Sequence, residues 1–226
     1  SSDLRFIQDL PVEWAYADLG EAGGLREACR GIDTVCHCAA LTRALDQETF
    51  MRINAYAVES FARQCLEQNP GFRRFLFLSS TAAAGPSRVA EDYVDEEVKP
   101  APITWYGRSK LAGEQALRAM GDRLPFTIVR AAPVFGPRDR DFLTYFKLVK
   151  RGLALKLGRE ERRVSLIYVA DLTELIIIAL ESETALGETY YGCGQAHSYE
   201  QLSEAIAGAL GKRIREITVP ESALTV

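Results

Sequence analysis

Apolar residues along this chain fall into short, nearly unbroken runs, separated by longer stretches in which they recur every three or four positions. "DTVCHCAA" (33–40), "RRFLFLSS" (73–80) and "FTIVRAA" (126–132) are of the first kind and predict strands buried on both faces. "INAYAVESFARQCLEQN" (53–69) and the span from Tyr106 to Met120 are of the second kind and predict helices. Upstream, "VEWAYAD" (12–18) reads as a further strand and "GLREACRG" (24–31) as a short helix. Strands that alternate with helices predict βαβ units and a parallel sheet. After Arg138 the rhythm changes: a basic helix over Phe142 to Lys150, then "VSLIYVA" (164–170), a helix from Asp171 to Leu180, the strand "ETYYGCG" (188–194) and a helix over Ser198 to Leu210. "EEVKPAP" (96–102) reads as an acidic, proline-bearing loop.

With 226 residues, 47% of them hydrophobic, the chain can bury a core of its own. Its net charge of -4 gives no global attraction to nucleic acid or to an anionic membrane. Between Arg138 and Arg163, however, nine basic residues face four acids, which is either a solvated face or a site for an anionic small molecule. Five cysteines, odd in number and without a C-x-x-C pair, suit neither a disulfide framework nor a zinc site, and they predict a reducing cytoplasm. No apolar run reaches the roughly 18 residues of a membrane span, and "SSDLRFIQDL" has no signal-peptide pattern.

Candidate chemistry centres on Tyr106-x-x-x-Lys110. That spacing puts phenol and ammonium on one helical face, where a cation favours the phenolate that general acid/base work needs. Alone the pair is weak evidence: nine tyrosines and six lysines in 226 residues give about 0.24 such pairs by chance. Three strand ends converge with it. "FLFLSSTAAAG" ends in Ser79, Ser80 and Thr81, "IVRAAPVFGPR" in a proline and glycine turn, and "DTVCHCAALT" in small residues, all at the carboxyl edge where open α/β sheets bind ligands. His37 reads as a packed strand histidine and His197 as a surface residue, so no metal site is expected. Asp171 reads as a helix cap, Asn54 as a cap or a site residue, and Phe135, Tyr190 and Tyr191 as core or pocket wall.

Taken in order, "ADL" (17–19), "HCAA" (37–40), Asn54, "LSSTAAAG" (78–85), "YGRSK" (106–110), "RAAPVFGPR" (130–138) and "YVADL" (168–172) resemble the extended short-chain dehydrogenase/reductase family, the NAD(P)-dependent epimerase/dehydratase group. The resemblance implies an α/β fold, a Rossmann-type doubly wound parallel sheet over residues 1–135, with a small C-terminal substrate-binding region built mainly from 136–226. It implies hydride transfer at a secondary alcohol or ketone with NAD or NADP, on a nucleotide sugar or on a steroid- or flavonol-type substrate, and it allows a homodimer. A cofactor-binding module without turnover is the contrasting reading. In the family's terms Tyr106 is the acid/base, Lys110 holds the nicotinamide ribose and, with the cationic nicotinamide ring, lowers the tyrosine pKa, and Ser80 holds the reacting oxygen. Asp18 and Leu19 border the adenine, Ala39 and Ala40 the ribose and pyrophosphate, and Pro133 and Val134 the nicotinamide. Ser79 is a further cofactor contact, and Thr81 and Arg138 are substrate contacts. Two departures stand out. No glycine-rich turn follows an early strand, which implies a further βαβ unit of roughly 30 to 45 residues ahead of Ser1 and weak cofactor binding without it. Thr81, Ala82 and Ala83 follow Ser80 where the family's 4,6-dehydratases carry an Asp-Glu pair, so dehydration is disfavoured.

Overall fold

The computed structural model describes residues 4–20, 25–87, 95–157 and 163–219. Four parallel strands form its central sheet: β1 (Thr34–His37), β2 (Arg74–Ser80), β3 (Phe126–Ala131) and, from much later in the chain, β8 (Thr189–Gly192), in the order β1-β2-β3-β8. Register sets His37 beside Phe77, Ser80 beside Ala131 and Ala131 beside Gly192, which aligns the carboxyl ends along one edge. Between β1 and β2 run α1 (Gln47–Met51), one π-helical stretch (Arg52–Tyr56) and α2 (Ala57–Gln68); between β2 and β3 run α3 (Thr81–Ala84) and α4 (Trp105–Arg118). The remainder is β4 (Val134–Phe135), α5 (Asp141–Lys150), β5 (Leu153–Leu157), β6 (Arg163–Ser165), β7 (Ile167–Tyr168) and α6 (Val169–Glu181) ahead of β8, then β9 (Ala196–Ser198), α7 (Tyr199–Ala209) and β10 (Arg215–Val219).

Strand alternation divides the core in two. Phe75 and Phe77 turn to the face covered by Val58, Ala62 and Cys65 of α2 and Leu117 of α4, whereas Leu76 and Val129 turn to the face covered by Leu172 and Ala179 of α6. Helices on both faces of a parallel sheet make the fold doubly wound, as the apolar pattern predicts. β4 pairs with β7 and β5 with β10, both parallel, and β6 pairs with β9 antiparallel. Neither β5 nor β10 follows from the apolar pattern along the chain. No helix among the described residues is long and apolar enough to cross a membrane.

Several expectations are corrected. Residues 12–18 form no strand: among the described residues no neighbour pairs with them, and Trp14 and Tyr16 stand exposed. A strand-like pattern becomes a strand only beside another backbone that supplies hydrogen bonds. Residues 25–30 make successive turns, with Cys29 N–H donating to the Leu25 carbonyl at 3.0 Å and Arg30 N–H to that of Glu27 at 3.2 Å; this is too short a run to repay helix nucleation, and Gly31 ends it at φ 70°. Residues 21–24, which include the first residue of "GLREACRG", and Arg159 and Arg162 of the basic cluster lie outside the described residues. The helix predicted from residue 53 begins at Gln47, capped by Asp46, whose side chain accepts from Thr49 N–H at 2.7 Å. Asn54 therefore caps nothing. Asp171 lies in the first turn of α6, and the cap position is Tyr168.

Candidate active site

β2 ends in Ser79 and Ser80, whose alternation separates their fates. Ser80 is the N-cap of α3, its hydroxyl accepting from Ala82 N–H at 3.2 Å, and it faces a cavity of about 760 Å³. Ser79 points into the fold and donates to Glu114 at 2.5 Å. α4 begins at a cap as well: the Thr104 hydroxyl accepts from Gly107 N–H at 2.9 Å, which puts Tyr106 in the first helical turn with its ring 6.1 Å from that of Phe50. Glycine at 107 is required by packing. A Cβ there would meet the Ala82 carbonyl oxygen at 2.2 Å, so α4 lies directly on the α3 backbone and carries Tyr106 to Ser80.

The cavity brings together Ser79, Ser80, Thr81, Tyr106, Ala40, Pro133 and Val134 of the predicted residues, along with Cys38, Ile103, Phe142 and the carboxylates Asp139 and Asp141. Lys110 is buried beneath it, 1% exposed, donating from Nζ to the Leu78 carbonyl at 2.8 Å with its ammonium 3.9 Å from the centre of the Phe77 ring. Ala39 is exposed just past the end of β1. Asp18 is exposed and accepts from Gly20 N–H at 2.6 Å, and neither it nor Leu19 lines the cavity. Arg138 faces a separate cavity of about 420 Å³ with Arg5, Phe6 and Arg140, at a positive φ of 74° and with its guanidinium 4.3 Å from the Phe6 ring. Asp139 lines both cavities.

Burial raises the Tyr106 phenol above its ordinary value, opposed by the neighbouring Ser80 hydroxyl, while the Lys110 ammonium is turned to the Leu78 carbonyl. Burial pushes Lys110 down to about 8, against the charges of Glu114 and Cys38. At neutral pH the phenol is thus protonated and the lysine mostly cationic.

Two groups behind the site escaped the sequence reading. Glu114 and Arg130, both buried, pair at 2.7 Å and 3.0 Å, and Arg130 also donates to the Tyr191 hydroxyl at 3.0 Å, so Ser79, Glu114, Arg130 and Tyr191 form one network across α4, β2, β3 and β8. Burial works against the Arg130 charge, but Glu114 outweighs it and holds the guanidinium above its ordinary value. The signal was present: a charge inside "FTIVRAA" needs a buried partner, and Glu114 lies one turn beyond Lys110 on the same helical face. Asn54, fully buried in the π-helical stretch, bonds both backbone groups of Leu41 at 2.8 Å and donates to the Ser109 hydroxyl at 3.0 Å, tying the loop after β1 to α4. π-helical turns occur often at functional sites. His37 packs among Phe61, Phe75 and Phe77, as a strand histidine should, and burial followed by the Lys110 charge lowers it to about 4.

Fold and site define a Rossmann-type α/β protein with a serine–tyrosine pair at the carboxyl edge of its sheet. The model of the NAD dependent epimerase/dehydratase family matches residues 2–192, and the chain belongs to that family. Among curated relatives, the ceramide reductase of Caulobacter vibrioides (strain NA1000 / CB15N) is 28% identical over 217 residues, 96% of this chain and 62% of that protein. The UDP-glucose 4-epimerase of Vibrio cholerae is 26% identical over 197 residues, 82% of this chain and 60% of that protein. The chain thus spans about six tenths of the length of these relatives. The crystal structure of the Thermus thermophilus UDP-glucose 4-epimerase in complex with NAD superposes with a TM-score of 0.80 at 23% identity, over 92% of this chain and 72% of that one.

Proposed function

We propose that this chain carries the reaction centre of an NAD(P)-dependent oxidoreductase or epimerase, acting at the carbon of a secondary alcohol or ketone. The observation that carries the reading is the Ser80–Tyr106 pair, two hydroxyl side chains lining one cavity with a buried lysine one turn along the helix. The residues fit a dinucleotide. Ala39 and Ala40 follow β1 without bulk, and Ala131, Ala132 and Pro133 pave the cavity where β3 ends, so a ring and a ribose can lie flat against them. In this reading Asp18 and Leu19 hold the adenine end, Ala39 and Ala40 the middle, and Pro133 and Val134 the nicotinamide, with Ser79 in the wall and Lys110 and Tyr106 at the ribose. The bound cofactor supplies or takes up the hydride.

The chain's own part is the proton. Tyr106, protonated at neutral pH, gives its phenolic proton to the oxygen of a ketone as that carbon is reduced, while the Ser80 hydroxyl holds the oxygen in place. In the oxidative direction the phenol must first ionise, and its burial makes that step respond to rising pH. The acids in the cavity have other duties: Asp139 accepts from Phe142 N–H at 2.8 Å and so starts α5, and Asp141 pairs with Arg43 at 2.8 Å.

Residues 1–135 serve the cofactor in this reading and 136–226 mainly the substrate. A nucleotide sugar would place its sugar at Ser80 and Tyr106 and its anionic end toward Arg138 and Arg140 in the adjoining cavity. The apolar wall of Ile103, Val134 and Phe142 favours a second reading, a steroid- or flavonol-type alcohol or ketone. The deciding experiment is Tyr106→Phe in the protein with its natural flanking residues, followed by NADH and NADPH fluorescence titration and by turnover on nucleotide-sugar, steroid and flavonol panels. Turnover should fall by at least ~10²-fold with cofactor affinity kept. Undiminished turnover removes Tyr106 from the reaction; cofactor binding with no turnover of any panel by the unsubstituted protein favours a cofactor-binding module. Sedimentation of the same samples tests for a homodimer.

A further inference from the structure

Cys36 and Cys38 alternate with the buried Val35 and His37 along β1, so both thiols leave the strand on its opposite, exposed side. Their sulfur atoms are 3.5 Å apart. Cys38 stands just beyond the strand's end and lines the same cavity as Ser80 and Tyr106. No other described cysteine pair is exposed: Cys29 and Cys65 also approach each other, at 3.6 Å, but both are buried, Cys65 on the core face of α2.

We propose that Cys36 and Cys38 form a thiol–disulfide exchange site for a small disulfide of the glutathione type, with Cys38 as the attacking thiol and Cys36 as the resolving one. The two thiols are not equivalent. The hydrogen bond from Cys36 is the largest influence on Cys38 and, with the charge of Lys110 and against burial, lowers it to about 7; the same hydrogen bond, with burial, raises Cys36. His37 takes no part, since its ring lies on the other face among Phe61, Phe75 and Phe77. Cys38 is therefore the thiol of the pair that ionises first, and it carries more thiolate at neutral pH than an ordinary cysteine.

The exchange balances in two steps. The Cys38 thiolate attacks one sulfur of glutathione disulfide; a Cys38–glutathione bond forms, the original disulfide breaks and one glutathione leaves as thiolate. The Cys36 thiol then loses its proton to solvent and attacks the Cys38 sulfur; the Cys36–Cys38 bond forms and the second glutathione leaves. Two protein thiols are oxidised and one small disulfide is reduced. Residues two apart in a strand have Cα atoms roughly 6.6 to 6.8 Å apart, at the long end of what a disulfide spans, so closure strains the strand end and the bond is readily reduced again. Because Cys38 borders the cavity, the glutathione intermediate occupies space beside Ser80 and Tyr106. The thiol chemistry is separate from hydride transfer, and none of the outcomes below depends on Tyr106.

The test is incubation of the protein with glutathione disulfide at pH 7, acid quenching and tryptic mass spectrometry. Cleavage after Arg30 and Arg43 releases residues 31–43, which contain Cys36 and Cys38 and no other cysteine. In the unsubstituted protein this peptide should lose two hydrogens and keep no glutathione, at a rate at least ~10-fold above the modification of exposed Cys193. Cys36→Ser should retain one glutathione on Cys38, and Cys38→Ser should leave the peptide unmodified over the same time. A peptide of the unsubstituted protein that stays reduced, that keeps a glutathione, or that reacts no faster than Cys193 overturns the proposal. So does a Cys38→Ser protein that reacts as fast as the unsubstituted one.

Discussion

Asn54 and Leu41 hold each other at both ends: the Leu41 N–H donates to the Asn54 side-chain oxygen and the Asn54 amide donates to the Leu41 carbonyl, each at 2.8 Å. With the third bond to Ser109, on the helix that carries Tyr106 and Lys110, this fixes the loop after β1 against α4. Asn54→Ala strands these partners and should cost about 3 kcal/mol in urea unfolding. A loss under about 1 kcal/mol would mean that water replaces the amide.

Gly107 touches the α3 backbone, and Gly107→Ala must push α4 away from Ala82. We expect a stability loss of about 2 kcal/mol and a fall in turnover greater than the unfolded fraction explains, because Tyr106 moves with the helix start. Measuring both on one preparation separates the effects; unchanged activity would show that the helix start adapts without moving the phenol.

Glu114 neutralises a guanidinium that is 4% exposed. Glu114→Gln leaves that charge buried with weaker partners and should cost about 3 to 5 kcal/mol, whereas the paired change Glu114→Leu with Arg130→Met should cost much less. Chemical denaturation of both variants checks the ordering, and a double variant as damaged as the single one would refute the account of a stranded charge.

His37 titrates at about 4 in the fold against an ordinary value near 6.5, because burial and then the Lys110 charge oppose its proton. The unfolded chain therefore binds this proton first. The stabilising contribution of neutral His37 is complete above pH 6.5 and is lost as pH falls toward 4, a change of about 3 kcal/mol. His37→Phe keeps the aromatic packing and removes that slope. Unfolding free energies of the two proteins should therefore converge or cross between pH 6.5 and 4, and parallel curves would contradict the assignment.

Much of this was legible in the residues. The apolar runs at 33–40, 73–80 and 126–132 are continuous because parallel strands covered on both faces tolerate no polar side, and they became β1, β2 and β3 within a residue or two at most ends. Tyr106 and Lys110 could be placed on one helix face from spacing alone. "VEWAYAD" could not be judged in the same way, since a strand depends on a neighbouring backbone that its own residues do not specify.

The sequence by itself determined the parallel α/β sheet, the three strand ends and the residues that meet there, because local periodicity and small residues at strand ends carry that information along the chain. Only the tertiary structure decided how neighbours divide their work. It turned Ser80 to the cavity and Ser79 to Glu114, aimed the Lys110 ammonium at Leu78, sent Arg138 to a second cavity and brought Glu114 to Arg130. Those outcomes rest on burial and on partners distant in sequence, which set the protonation of Tyr106 and Lys110 more strongly than their spacing does.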